Sequence, residues 1–195
     1  MSKTKQVKNI NNSLRIVAGQ WRGRKLSFPP IDGLRPTPDR VRETLFNWLQ
    51  NHIREAKVLD LFSGSGALGL EALSRGAKSA TFVEQNKQAA ESIQQHLQSL
   101  GCDNAQVINA DVLTTLKAIP TQSHEVVLLD PPFRQNLLAP CIELLEQQGW
   151  LTNPAWIYIE AEKELDSLLL PPAWTLFRSK QAGQIAYHLF SRRKQ

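Results

Sequence analysis

Between residues 57 and 159, short apolar runs alternate with segments of helical periodicity. The runs at residues 57–61, 80–83, 105–109, 126–129 and 156–159 have strand length, whereas residues 67–75, 87–100 and 137–147 repeat their apolar side chains at helical spacing. A further short helix is expected before Pro120. Apolar strands set between helices belong to a parallel sheet covered on both faces. Residues 174–180 and 185–191 flank Gln181-Ala182-Gly183 and read as an antiparallel hairpin, which completes a seven-stranded α/β sheet.

The preceding segment differs. Residues 14–19 and 25–28 read as a small basic β-hairpin, and Pro29, Pro30, Gly33 and Pro36 mark a linker. A helix is expected near Thr37, with Thr37 as its cap and Pro38 at the first helical position. Val41, Leu45, Leu49 and Ile53 give it one buried stripe, with Arg40 and Arg42 off that stripe. The expected division is a flexible basic arm at residues 1–13, hairpin and linker at 14–36, and the α/β domain at 37–195.

Composition narrows the class. Of 195 residues 42% are hydrophobic, enough for a packed core. No run reaches the roughly 18 apolar residues of a membrane span, and the first twelve residues lack the apolar stretch of a leader peptide. Cys102 and Cys141 form no paired or Cys/His pattern, so neither a disulfide scaffold nor a metal module is expected, and a reducing cytoplasm suits them. The charge is segregated: residues 1–54 carry +8, residues 55–177 carry −8 and residues 178–195 carry +5. Basic ends suit a polyanion and an acidic middle suits a cationic ligand; solvated, flexible ends account for the same charge. Arg15, Arg22, Arg24, Lys25, Arg35, Arg40 and Arg42 are the set expected to face such a polyanion.

Two motifs carry the chemistry. Gly64, Gly66 and Gly69 follow the first sheet strand in a G-x-G-x-x-G pattern that opens a helix, where free N–H groups meet a ligand. Glu84 ends the next strand, where a carboxylate accepts both hydroxyls of a ribose. Asp60 and Asp111 stand at neighbouring strand ends, and three carboxylates there suit a sulfonium-bearing nucleoside better than a pyrophosphate. Helix capping is the plain alternative for each, most of all for Asp111. The second motif, Asp130-Pro131-Pro132-Phe133, leaves the apolar strand Val126-Val127-Leu128-Leu129 and borders the same crevice. Its acid and fixed carbonyl can accept both hydrogens of a ring-attached amine stacked on Phe133, which localises the nitrogen lone pair toward an electrophilic methyl.

Together with Arg15-Ile16-Val17-Ala18-Gly19, Arg22-Gly23 and the segment Arg35-Pro36-Thr37-Pro38-Asp39-Arg40-Val41-Arg42, these motifs give the chain a resemblance, over residues 14–192, to amino-directed class I S-adenosylmethionine-dependent methyltransferases. Within them it resembles the RsmD family, which methylates N2 of a guanine in bacterial 16S rRNA. The resemblance implies strand order 3-2-1-4-5-7-6 with the last strand antiparallel, S-adenosylmethionine as cofactor, and a cytoplasmic, monomeric enzyme without a metal. It implies that Asp60 and the Gly64/Gly66 loop hold the methionine part, Glu84 the ribose and Asp111 the adenine amine, with Phe62, Ser63 and Gln85 beside them. It implies that Asp130, Pro131 and Phe133 hold the target, guanine 966, in a small subunit that already carries proteins. An NAD-dependent oxidoreductase explains the glycine loop and Glu84 only. A DNA adenine methyltransferase shares the tetrapeptide and needs more recognition sequence. A non-catalytic RNA-binding module does not need the intact motifs. His96 and His124 are expected at the surface, His52 near a helix end and His188 within a strand, and none is assigned catalysis.

Overall fold

The computed structural model describes residues 12–31, 34, 36–162, 170–183 and 185–194. The chain forms β1 (Asn12–Arg15), β2 (Lys25–Phe28), α1 (Asp39–Trp48), β3 (Lys57–Leu61), α2 (Ala67–Ser74), β4 (Ser79–Val83) and α3 (Lys87–Ser99). It continues through β5 (Ala105–Ile108), α4 (Val112–Lys117), β6 (His124–Leu129), α5 (Leu138–Gln147), β7 (Leu151–Glu162), β8 (Trp174–Ala182) and β9 (Ile185–Arg192). β1 and β2 pair as a separate antiparallel hairpin; the other seven strands form one sheet in the order β5-β4-β3-β6-β7-β9-β8. Counted within the sheet this is the expected 3-2-1-4-5-7-6, with β9 antiparallel to both neighbours.

The apolar blocks explain the layering. In β6, Val126, Val127, Leu128 and Leu129 are all fully buried because both faces of the strand are covered. Val126 and Leu128 pack with α1, α2 and the hairpin, while Val127 and Leu129 pack with α5. β7 is much longer than the expected residues 156–159, running on to Glu162 against β9. The C-terminal hairpin is fastened to α5 by Arg192, which grips both carboxylate oxygens of Glu146 at 2.8 and 2.9 Å. Part of the basic C-terminal charge is therefore a buried structural contact.

The N-terminal hairpin is not a loose appendage. Leu14, Ile16, Leu26 and Phe28 belong to the same buried core as Leu45, Leu70 and Leu73. Glu71, fully buried in α2, accepts the backbone N–H groups of Val17 at 2.8 Å and Ala18 at 3.0 Å and the Nε of Arg75 at 2.8 Å. Ser74 accepts from the Trp21 N–H and donates to the Ala18 carbonyl. Gly19 runs so close that a Cβ there would lie 1.8 Å from the Ser74 carbonyl oxygen, at φ +82°.

Four expectations need correction. Arg42 is 1% exposed, donating to the Arg15 carbonyl and to Asp39, because the docked hairpin covers that side of α1. Thr37 does not cap α1; Pro38 occupies the cap position with no side-chain bond, and helix begins at Asp39. His96 is buried against the Ser27 carbonyl, 2.9 Å away. His124 is buried at the start of β6 and stacks on Trp150.

His124 gives a stability prediction. Burial lowers its pKa to about 4, so the folded state holds the neutral ring while the unfolded chain protonates near the ordinary value of 6.5. Stability is fully present above that value and is lost as pH falls toward 4, by roughly 2–3 kcal/mol. Urea denaturation at pH 7 and pH 5 should show this loss, and His124→Phe should flatten that share of it.

Candidate active site

Each α/β unit ends its strand at the same edge of the sheet, and the acids of both motifs gather there. β3 delivers Asp60, whose Oδ2 accepts the Gly69 N–H at 2.9 Å. Gly69 is required by packing: a Cβ there would meet the Phe82 ring at 2.3 Å and Asp60 Oδ2 at 2.8 Å. Gly64 and Gly66 turn the loop at φ +53° and +76°, and Phe62 before them also has positive φ. The Ser63 hydroxyl donates to the Asp60 carbonyl at 2.7 Å, tying the loop to the strand end.

β4 delivers Glu84, which is 8% exposed. Its Oε2 accepts the Gly64 N–H and its Oε1 the Asn86 N–H, each at 2.7 Å, so the carboxylate is rigidly held. Asn109 bridges β5 to β4 by donating to the carbonyls of Glu84 and Gln85, a strut the sequence did not announce. Gln85 itself is exposed. Asp111 is exposed and caps α4, accepting the Thr114 N–H at 2.8 Å, which lowers its pKa. The plain capping role is thus realised there.

β6 delivers Asp130. The residue is half-buried but its carboxyl end is enclosed; burial, then Glu160 and Asp60, push it well above the usual carboxylate range, while the Thr37 hydroxyl opposes that. Thr37 is buried, and its hydroxyl acts on Asp130 rather than capping α1. Pro131 is buried and Phe133 is 44% exposed, a ring face open at the crevice. Burial and then Glu84 raise Asp60 to about 7. Among the described residues no Lys or Arg pairs with Asp60, Glu84 or Asp130.

That donor set fits the expected cofactor. A loop with positive φ sits over a fixed carboxylate, and buried acids without a cation favour a ligand that brings positive charge. Among the described residues, no group of three or more His, Cys, Asp or Glu is placed to hold a metal, and no helix is long and apolar enough to cross a membrane.

The basic residues do not form one surface. Arg15, Arg22, Arg24, Lys25 and Arg40 are exposed, Arg42 is buried, and Arg35 lies outside the described residues. The tip of the hairpin docks where α2 and α3 end, with Trp21 on Ser74 and Arg24 against the Ser99 carbonyl. Those helices run back from the crevice, so Arg22 and Arg24 stand at the opposite end of the sheet from Asp130.

A sheet in this order, with a glycine loop beneath an acidic strand end and Asp-Pro-Pro-Phe on the fourth strand, defines a class I methyltransferase. The chain belongs to the RsmD family: the family model described as Conserved hypothetical protein 95 matches residues 14–191. It is 49% identical over 185 residues to the ribosomal RNA small subunit methyltransferase D of Escherichia coli, covering 95% of this chain and 93% of that one. A solved Escherichia coli chain, 49% identical, superposes with a TM-score of 0.86 over 94% of this chain and 100% of its own length. A distant structure, 19% identical with TM-score 0.67, covers 87% of this chain and 54% of that one and was solved with S-adenosylhomocysteine (SAH) bound.

Proposed function

We propose that this protein transfers a methyl group from S-adenosylmethionine to the exocyclic N2 amine of a guanine in 16S rRNA, acting as a 16S rRNA (guanine-N2)-methyltransferase. The carrying observation is the placement of Asp130-Pro131-Pro132-Phe133 beside the Glu84-anchored glycine loop, in a chain whose relative is a ribosomal RNA small subunit methyltransferase over nearly its whole length.

S-adenosylmethionine supplies an electrophilic methyl on a sulfonium. Asp60 keeps one oxygen on the Gly69 N–H and offers the other to the amino-acid end. Glu84 keeps each oxygen on one backbone N–H and has lone pairs left for two ribose hydroxyls. Asp111 offers its remaining acceptor capacity to the adenine amine. Asp130 and the Pro131 carbonyl accept the two hydrogens of the target amine, and Phe133 stacks on the base, which fixes the nitrogen for in-line attack. Phe in place of Tyr at this position keeps the ring face.

The RNA meets the exposed cations Arg15, Lys25 and Arg40 through phosphates, which position it without reading sequence and make binding fall with salt, whereas Arg22 and Arg24, at the far end of the sheet, stand away from that contact. An enclosed acid at the crevice demands an unpaired or flipped guanine.

The test offers assembled small subunits, and separately deproteinised 16S rRNA, from cells lacking the enzyme, and locates the methyl by primer extension. The expected product is N2-methylguanine at guanine 966 in the subunit. A methyl on adenine, or incorporation into DNA alone, would overturn the reading.

A further inference from the structure

The register of the sheet sets a second acid beside Asp130. Leu129 pairs with Ile159 across the parallel strands β6 and β7, so the next residues, Asp130 just past the end of β6 and Glu160 still within β7, stand at one level. Leu128 and Tyr158 pack in one core and Leu129 and Ile159 in the other, so alternation turns Asp130 and Glu160 to the same face. Glu160 is 4% exposed, and its Oε2 accepts the Tyr158 hydroxyl at 3.0 Å. Among the described residues no other donor reaches it and no Lys or Arg pairs with it.

A buried acid beside another acid, with no cation, is destabilising, and an apolar residue would sit better on this strand. Holding the N2 hydrogens does not require it, since Asp130 and the Pro131 carbonyl suffice. A guanine, however, presents two adjacent donors on one edge, the N2 amine and N1–H. Adenine presents an acceptor at N1. Two carboxylates side by side on neighbouring strands match the first pattern and repel the second.

We propose that Glu160 accepts N1–H of the target guanine while Asp130 accepts from its N2 amine, so that the carboxylate pair selects guanine. This rests on the guanine-N2 reading of the site. Tyr158 occupies Oε2 and leaves Oε1 for the base. A hydrogen bond accepted from N1–H also raises electron density on the neighbouring amine, which assists its attack.

The experiment compares small subunits reconstituted with either guanine or 2-aminopurine at the target position. 2-Aminopurine keeps the amine but turns N1 into an acceptor. Wild-type protein should methylate it about 100-fold more slowly than guanine. In Glu160→Gln the amide can donate to N1, so guanine should slow by about 100-fold while 2-aminopurine slows far less or speeds up, and the preference collapses. SAH affinity within about threefold of wild type, by calorimetry, shows the fold intact. Tyr158→Phe keeps the acid but frees it, and should shrink the preference about tenfold, an arm independent of how the first variant folds.

Guanine methylation at the wild-type rate by Glu160→Gln overturns the proposal. An equal fall on both bases also overturns it, since Glu160 would then merely support Asp130. Failure of wild-type protein on the unmodified guanine, visible before any variant is made, overturns the guanine reading itself and the proposal with it.

Discussion

Asp130→Ala should reduce turnover on the small subunit by about 10³-fold or more while SAH affinity stays within about threefold of wild type. In the proposed function the acceptor it removes faces the target amine, and preorganised acceptors of this kind act mainly on the chemical step. Single-turnover kinetics with calorimetry on the same preparation separates the two. Collapse of SAH binding with normal residual chemistry would place Asp130 with the cofactor instead. Phe133→Tyr should be tolerated and Phe133→Ala should not, because the proposed function asks of this residue a ring face on which the base stacks. The pH profile carries the same signature. Asp130 is raised well above the ordinary carboxylate value of about 4, and must be ionised to accept. Activity should therefore rise with pH through a limb well above that value, with Asp60 at about 7 pushing in the same direction.

Glu71→Ala should lose about 3–5 kcal/mol of folding stability, the largest stability effect expected of a single substitution here. It strips the acceptor from the Val17 and Ala18 N–H groups and leaves Arg75 and the buried Arg42 without their shared acid. Chemical denaturation measures the loss. Hydrogen exchange should show the hairpin opening first, with Ile16 and Gly23 losing protection ahead of the central strands. Unchanged protection there would mean that the apolar contacts of Leu14, Ile16, Leu26 and Phe28 hold the hairpin by themselves.

The sheet and its motifs were legible because strand length, apolar blocks and glycine spacing are local signals. β2 and β3 match their expected bounds, and Asp60, Glu84 and Asp130 fall at adjoining strand ends. What escaped was tertiary. Arg42 reads as solvent-facing from α1 alone and is covered by a hairpin 27 residues upstream. Thr37 before Pro38 looks like a helix start, yet its hydroxyl serves an acid on β6. Glu71 sits on a helix turn where an acid usually meets water, and its worth comes from the backbone of residues 17 and 18. Glu160 lay just past the expected end of its strand, because β7 is prolonged by pairing with β9, which no local pattern encodes. A helical stripe at period four gave no sign that a second layer would pack on its other side.

The order β7-β9-β8 bears on how the chain is made. β8 is synthesised before β9 but, among the described residues, pairs with no other strand, so during translation β8 has no place in the sheet. β7 meanwhile shows an open edge, and Glu146 waits for Arg192. The nascent chain therefore reaches its full sheet only once the whole of β9 has cleared the ribosome. Until then its exposed edge is available to chaperones or to misassociation. A frameshift or stop within β9 removes an interior strand, stranding β8 as well, so even a late truncation strikes the middle of the fold.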